Sequence, residues 1–210
     1  MLLYRSNRTY YIQSIKYHVP CQAHLCIIAA VKPAIFLDRD GVLIENIPTY
    51  VRSWADVHIY PQALEALKQA AASPYLIVLV TNQSGIGRGL IALETVQEIN
   101  RQLVKEIDAA GGRVDGVFLC PHAPEENCLC RKPQPGLLLE AAKTLQIDLD
   151  RSIMIGDAAS DVQAGYAAGV GKLVLVRTGR GAEQLRTNNL NVPKAVLLFE
   201  NLAEALATLV

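Results

Sequence analysis

The chain has 210 residues, of which 51% are hydrophobic and 19% charged, and Lys plus Arg balance Asp plus Glu at 20 each. This composition is typical of a globular protein with a substantial core, and the balanced charge argues against a nucleic-acid-binding surface, which would show a basic excess. No apolar run reaches the roughly 18 residues that a membrane-spanning helix needs, so no membrane contact is expected.

Residues 1–33 differ in composition from the rest of the chain. They hold four of the eight tyrosines and contain neither Asp nor Glu. We predict that 1–33 is an atypical extension, either disordered or the result of a start codon assigned too far upstream. The remaining segment, 34–210, is predicted to form one domain.

From residue 34 onward, strand and helix patterns alternate. Short apolar runs predict strands at Ala34–Leu37, Tyr75–Val80, Val114–Leu119, Ser152–Ile155, Lys172–Val176 and Ala195–Phe199. Helical periodicity follows them at 63–72, 93–107, 137–145, 161–168 and 201–210. Continuous apolar strands that alternate with helices predict an α/β fold, a Rossmann-like three-layer sandwich around a mainly parallel sheet. Ligands of such sheets bind beyond the carboxyl ends of the strands.

The first of these strands ends in Asp38-Arg39-Asp40-Gly41. Side chains alternate along a strand, so the two carboxylates can point the same way, about 6.6 Å apart at about 3.3 Å per residue. Such a pair can hold a hard cation and serve as nucleophile and acid/base. A polar turn is the alternative, whereas a calcium loop is excluded because Val42 stands where Asp or Asn is needed and Thr49 where Glu is needed.

Polar residues also follow the second and fourth strands. The run Thr81–Gly89 could hold an anion through its backbone N–H groups and the Thr81 hydroxyl, with Arg88 adding charge, or it could be an ordinary glycine-rich loop. Asp157 could complete a metal site with Asp38 or cap a helix. Asp161 follows one helical turn later and could steady a lysine or a bound water.

Four metal-binding side chains follow the third strand within eleven positions: Cys120, His122, Cys128 and Cys130. A Cys₃His set is a common structural zinc site, and a set that fills all four positions leaves none open for catalysis. Arg131 and Lys132 come next; a lysine held here could neutralise a phosphate, although an exposed basic pair is the alternative. Clustered, reduced cysteines also favour a cytoplasmic location.

Together these segments, in this order, resemble the motifs of the haloacid dehalogenase superfamily of phosphotransferases over residues 34–210. Among its zinc-loop members, they are most similar to the heptose-bisphosphate phosphatases, to which the histidinol-phosphate phosphatases are related. The resemblance implies removal of the 7-phosphate of D-glycero-D-manno-heptose 1,7-bisphosphate, a step in the synthesis of ADP-heptose for lipopolysaccharide core or other surface polysaccharide. Histidinol phosphate, or another small sugar phosphate, is the alternative substrate.

The resemblance also implies roles for individual residues. Asp38 would be the nucleophile that forms an aspartyl-phosphate, and Asp40 the general acid/base. Mg²⁺ would bind Asp38, the Asp40 carbonyl and Asp157. The remaining roles are phosphate binding by Thr81, Asn82 and Lys132, substrate binding by Arg131 and Arg88, and support of the site by Asp161. The short segments between the motifs leave no room for a cap domain, and a monomer is expected.

Overall fold

The computed structural model describes residues 2–6, 9–13, 31–187 and 190–210, which form one eight-stranded sheet with helices on both faces. The strands are β1 (Leu2–Ser6), β2 (Thr9–Gln13), β3 (Lys32–Leu37), β4 (Leu76–Asn82), β5 (Gly116–Cys120), β6 (Ile147–Gly156), β7 (Lys172–Val176) and β8 (Val196–Phe199). Their order across the sheet is β1-β2-β5-β4-β3-β6-β7-β8.

Strands β3 to β8 are all parallel to one another, with β3 in the middle of the sheet. Ile35 of β3 is in register with Ile77 of β4 on one side and Ile153 of β6 on the other. β6 begins before the predicted strand, because its first part pairs with Lys32 and Pro33 ahead of a register shift. The predicted three-layer α/β fold is confirmed.

The helices are α1 (Pro61–Ala70), α2 (Ser84–Gly87), α3 (Leu93–Ala109), α4 (Gly136–Leu145), α5 (Ala159–Ala168), α6 (Gly181–Thr187) and α7 (Leu202–Leu209). Five of them match the predicted helices to within two residues at each end. The short helices α2 and α6 were not predicted, because each lies in a polar segment without apolar periodicity. Between β3 and β4 the chain forms a loop, a 3-10 turn at Trp54–Asp56 and α1.

Side chains of the central strand β3 point alternately to the two faces of the sheet, and each face has its own hydrophobic core. Ile35 and Leu37 pack in the cluster that contains α1, α3 and α7. Ala34 and Phe36 point to the opposite face and pack with α4 and α5. All four side chains are fully buried, which explains why the strand reads as a continuous apolar run.

Within the predicted extension 1–33, β1 and β2 form an antiparallel hairpin. Tyr10, Tyr11 and Ile12 of β2 also pair antiparallel with Val117–Leu119 of β5. This strand is rich in Thr, Tyr and Ile, which favour extended structure, and it pairs backbone groups that β5 would otherwise expose at the sheet edge. Residues 14–30 of the extension lie outside the described part of the chain.

Among the residues that the structure describes, no helix combines the length and apolar character needed to cross a bilayer.

Candidate active site

The sequence-predicted site residues meet at the carboxyl edge of the sheet. Asp38 follows β3, Thr81 and Asn82 end β4, Cys120 ends β5 and Asp157 follows β6. The Asp38 N–H donates to the Ile155 carbonyl (3.0 Å), so the turn after β3 stays attached to β6. A cavity of about 390 Å³ opens at this edge and is lined by Asp38, Asp40, Asn82, Arg131, Lys132 and Asp161.

Lys132 lies at the centre of a buried ion-pair cluster. Its Nζ is 2.9 Å from Asp38 Oδ1 and 2.7 Å from Asp161 Oδ1, and it donates to the Val80 carbonyl at 2.8 Å. Only 1% of the Lys132 side chain is exposed. Two carboxylates and a carbonyl therefore hold one ammonium group, and the alternative of an exposed basic pair is excluded for Lys132.

Burial and charge shift the ionisation of this cluster in opposite directions. Loss of hydration raises the pKa of Asp38 to about 6, even though the Lys132 charge favours the carboxylate. Burial also works against the charged form of Lys132, but the Asp161 and Asp38 carboxylates outweigh it and raise the Lys132 pKa.

Asp161 has a second contact, since its Oδ2 accepts from the Ala158 N–H at the start of α5. It is therefore Asp161, rather than Asp157, that caps this helix.

Asp157 is fully buried and is bonded by Arg180 in the loop after β7. The Arg180 backbone N–H donates to Oδ2 (2.8 Å), and its guanidinium donates to Oδ2 (3.3 Å) and Oδ1 (3.0 Å). Burial raises the pKa of Asp157, and the Asp38 charge raises it further against the effect of Arg180.

Gly41 and Gly179 both have positive φ, and a Cβ on either would clash with Asp157 Oδ2. The two turns therefore require glycine.

Asp38, Asp157 and Asp161 each offer one carboxylate oxygen to a group in which these three oxygens lie within 4.8 Å of one another. Such a set of hard oxygen donors fits Mg²⁺, which prefers carboxylate and water ligands. The Asp40 carboxylate is not part of this group, which agrees with a contribution through its carbonyl alone.

Asp40 belongs to a separate hydrogen-bond network. Arg39 Nε donates to Asp40 Oδ2 (3.2 Å) and Arg39 Nη2 to Oδ1 (3.1 Å), while Arg39 Nη1 donates to Asn100 Oδ1 on α3 (2.9 Å). Gln83 Nε2 donates both to Asp40 Oδ2 (3.1 Å) and to Thr81 Oγ1 (2.8 Å). Asp40 is thus held by donors from the turn after β3 and the turn after β4.

Two predicted phosphate ligands have their side chains engaged within the protein. Asn82 Nδ2 donates to the Lys132 carbonyl (3.0 Å), and Asn82 Oδ1 accepts from the Lys132 N–H (3.1 Å). Thr81 is fully buried and does not line the cavity. Asn82 therefore fixes the Lys132 backbone, and Thr81 fixes Gln83.

The four predicted zinc ligands lie together beyond the end of β5. The three sulfur atoms are 3.3 to 3.5 Å apart, and His122 Nδ1 is 3.5 Å from Cys120 Sγ and 3.3 Å from Cys130 Sγ. The hydrogen bond with Cys120 lowers the pKa of Cys130, while the same contact, with burial, raises the pKa of Cys120. A tetrahedral zinc about 2.3 Å from each sulfur separates the sulfurs by about 3.8 Å, so the donor set fits.

The two remaining arginines differ in position. Arg131 lines the cavity, with Nη1 3.4 Å from the His122 carbonyl. Arg88 lines an adjoining cavity instead, where it contacts the Tyr50 hydroxyl (3.2 Å) and pairs with Glu125 (3.3 Å). Tyr50 lies in the segment 46–51, which forms a wall shared by both cavities.

The chain segments that flank this wall are hydrogen-bonded to each other. The Glu45 N–H donates to the His58 carbonyl (2.8 Å), and the Tyr60 N–H to the Leu43 carbonyl (3.0 Å). Ile44 forms isolated bridges with Asp40 and Ile59. The chain just before the wall is thus bridged to the turn that follows β3 and carries the paired aspartates.

Sequence reasoning missed four residues of the site: Arg39, Gln83, Asn100 and Arg180. A signal was available for three of them. Arg180 follows the carboxyl end of β7, and residues beyond the carboxyl ends of parallel strands are candidates for ligand binding. Gln83 adjoins Asn82, which was already a candidate. Asn100 is a polar residue within the apolar stripe of α3, which includes Val96 and Leu103.

Comparisons with known proteins agree with this geometry. The HAD-hydrolase-like family model matches residues 129–205. The D-glycero-beta-D-manno-heptose-1,7-bisphosphate 7-phosphatase of Helicobacter pylori is 41% identical over 173 residues, which cover 81% of this chain and 93% of that relative. Its counterpart in Photorhabdus laumondii is 41% identical over 180 residues, 78% of this chain and 95% of the relative.

A solved structure also matches. The crystal structure of D,D-heptose 1,7-bisphosphate phosphatase from Bordetella bronchiseptica, complexed with magnesium and phosphate, superposes with a TM-score of 0.79 at 34% identity. The match covers 84% of this chain and 97% of that one. The chain therefore belongs to the family of haloacid dehalogenase-like phosphatases that includes the D-glycero-beta-D-manno-heptose-1,7-bisphosphate 7-phosphatases.

Proposed function

We propose that the protein is a Mg²⁺-dependent phosphatase that removes the 7-phosphate of D-glycero-D-manno-heptose 1,7-bisphosphate through an aspartyl-phosphate. The observation that carries the proposal is the Asp38 carboxylate, which lines the cavity 2.9 Å from a buried Lys132 and beside Asp157 and Asp161. The names of the relatives support the choice of substrate.

In the first step, an Asp38 carboxylate oxygen attacks phosphorus and the bond from phosphorus to the sugar oxygen breaks. Asp40 gives its proton to the leaving oxygen. Lys132 faces both Asp38 and the cavity, so its charge stabilises the phosphoryl group as negative charge builds up. The products of this step are the free sugar hydroxyl and an aspartyl-phosphate on Asp38.

In the second step, Asp40 takes a proton from water while the water oxygen attacks phosphorus of the aspartyl-phosphate. The bond between phosphorus and Asp38 breaks, which releases inorganic phosphate and restores the carboxylate. The proton that Asp40 gave up in the first step is thereby returned.

Asp38, the Asp40 carbonyl and Asp157 would hold the magnesium ion, with Asp161 close by. When bound, Mg²⁺ neutralises charge between the attacking carboxylate and the phosphate. The crystal structure of the Bordetella bronchiseptica relative is a complex with magnesium and phosphate, which supports the choice of metal.

Because Arg180 donates to both oxygens of Asp157, it competes with a metal for that carboxylate. We expect Arg180→Gln to raise the Mg²⁺ affinity of the substrate-free protein by about 5- to 10-fold, the equivalent of one partly exposed ion pair. Isothermal titration of Mg²⁺ into the zinc-loaded protein measures this change directly.

Arg88→Gln is the matched control, since Arg88 lines the adjoining cavity and pairs with Glu125 rather than with Asp157. Its Mg²⁺ affinity should stay within about twofold of the wild-type value, because exposed charges are strongly screened. An Arg180→Gln protein that binds Mg²⁺ no more tightly than wild type would show that Arg180 does not compete.

The proposal includes a structural zinc ion bound by Cys120, His122, Cys128 and Cys130. The metal would hold the loop that continues directly into Arg131 and Lys132, and would thereby fix the lysine beside Asp38. Because zinc-binding thiols must be reduced, we also propose a cytoplasmic location.

The proposed phosphate and substrate contacts are not equally supported. Lys132 and Arg131 line the cavity and can reach a bound phosphate ester. Thr81 and Asn82 have weaker support as direct ligands, because their side chains are engaged by Gln83 and the Lys132 backbone. Arg88 would contact only a substrate that extends into the adjoining cavity.

The substrate assignment is tested by comparing kcat/KM for heptose 1,7-bisphosphate, histidinol phosphate and a panel of simple sugar phosphates. We expect heptose 1,7-bisphosphate to exceed histidinol phosphate by at least about 100-fold, since sites built around polar contacts discriminate strongly. Faster turnover of histidinol phosphate would identify the alternative substrate. No turnover of any phosphate ester with Mg²⁺ present would exclude a phosphatase.

A further inference from the structure

Arg39 is the largest fully buried side chain of the described residues, with 1% of its surface exposed. It lies between Asp38 and Asp40 in sequence, yet its guanidinium reaches α3. A buried guanidinium needs both a counter-charge and further hydrogen-bond acceptors. Asp40 supplies the counter-charge and Asn100 supplies the additional acceptor.

The acceptor positions of the two Asp40 oxygens are not used equally. Oδ2 accepts from both Arg39 Nε (3.2 Å) and Gln83 Nε2 (3.1 Å), whereas Oδ1 accepts from Arg39 Nη2 (3.1 Å). A carboxylate oxygen offers about two acceptor sites, so Oδ2 is saturated while Oδ1 keeps one lone pair. The Asp40 side chain is 22% exposed and lines the cavity, so this lone pair has access to substrate.

We propose that Arg39, anchored by Asn100, is a positioning residue that fixes Asp40 so that Oδ1 is the oxygen that carries the proton. This inference rests on the proposed function, in which Asp40 is the general acid/base. Proton transfer requires donor and acceptor at about 2.6–3.2 Å, so a carboxylate free to rotate would lose efficiency.

Asn100 supports this interpretation because its position is otherwise unfavourable. It is fully buried on the apolar side of α3, and within the described chain its Nδ2 has no hydrogen-bond partner. Its Oδ1, by contrast, accepts from Arg39 Nη1. The unsatisfied Nδ2 donor costs stability, so we infer that Asn100 is present at this position because its Oδ1 holds the Arg39 guanidinium.

The proposal predicts a dependence on the leaving group. Sugar alkoxide leaves poorly without a proton, whereas p-nitrophenolate leaves well, so in the first step, which kcat/KM reports, a misplaced acid slows only the sugar ester. We expect Arg39→Met to lower kcat/KM for heptose 1,7-bisphosphate by about 30- to 100-fold and for p-nitrophenyl phosphate by less than about threefold. Arg39→Lys, which keeps the charge but not the two-point contact, should lie in between.

Asn100→Leu provides a second variant that does not touch the cavity. It removes the unsatisfied donor but also takes the acceptor away from Arg39 Nη1, so we expect some loss of melting temperature together with the same selective loss of activity, about 5- to 10-fold. This variant decides the outcome if Arg39→Met does not fold. A purely structural role for Arg39 would instead change both substrates equally.

Asp40→Asn separates failure of this inference from failure of the proposed function. If Asp40→Asn shows the selective loss and the Arg39 and Asn100 variants do not, positioning by Arg39 is wrong while the mechanism stands. If wild type hydrolyses neither substrate, the proposed function itself is wrong and the positioning role falls with it.

Discussion

Asp38→Asn should lower kcat by roughly 10⁴-fold or more, because removal of the nucleophile from a covalent mechanism costs up to about 10⁶-fold. The asparagine amide cannot attack phosphorus in place of the carboxylate. Steady-state phosphate release from heptose 1,7-bisphosphate, with Mg²⁺ present, measures the loss.

The same substitution should leave the Mg²⁺-free protein at least as stable as wild type at pH 7.5. Burial raises the pKa of Asp38 from 3.8 to about 6. The folded protein therefore binds the proton more tightly than the unfolded chain, and the stability contributed by neutral Asp38 is lost as pH rises through about 6. Asparagine stays neutral at every pH, so urea denaturation should show no loss of unfolding free energy.

Asp115→Asn is the matched control for Asp38→Asn, which should lose activity but not stability. Asp115 Oδ2 accepts from the Ile77 N–H (2.8 Å) and from Arg113 Nε (3.0 Å), at the opposite end of β4. The control should keep normal turnover while losing about 1 kcal/mol of stability. Normal hydrolysis by Asp38→Asn would contradict the assignment of the nucleophile.

The second large effect concerns the zinc loop. Cys128→Ser/Cys130→Ser should bind no zinc, whereas wild type should contain about one zinc per chain by metal analysis. We expect a loss of at least about 3 kcal/mol in the free energy of unfolding, because metal binding to such a loop contributes directly to folding. Lys132 lies two residues after Cys130, so kcat/KM should fall by about 100-fold through misplacement.

Cys21→Ser/Cys26→Ser removes the same number of thiols from the other cysteine pair in the chain. This variant should retain zinc and turnover, which separates metal binding from any general effect of lost thiols. A wild-type protein that is fully stable without metal would rule out a structural zinc ion.

The edge of the sheet that carries the site could be predicted from sequence because the rule involved is local. A short apolar run identifies each strand, and the residue after it must lie at the carboxyl end. Asp38, Asp157 and Cys120 all follow from this rule. The period of the apolar stripe likewise located α3 to within two residues.

What the sequence could not reveal was the partner of each polar side chain. Asn82 and Lys132 are 50 residues apart, and only the folded sheet shows that the amide pairs with the lysine backbone rather than with a ligand. The contact between Arg39 and Asn100 depends in the same way on where α3 packs. Pairing of β2 with β5 also joins segments that are far apart in the chain, which local patterns do not encode.

The wall at 46–51 has a consequence for how the site discriminates between substrates. An enzyme that closes a lid can use substrate binding to assemble its catalytic groups, and opening of the lid then often limits turnover. Here Ile44, which leads into the wall, is bridged to Asp40, and Lys132 is already in place beside Asp38. Discrimination must therefore come from contacts in the initial complex. The cavity also opens at the edge of the sheet, which suits a reaction that consumes water in its second half.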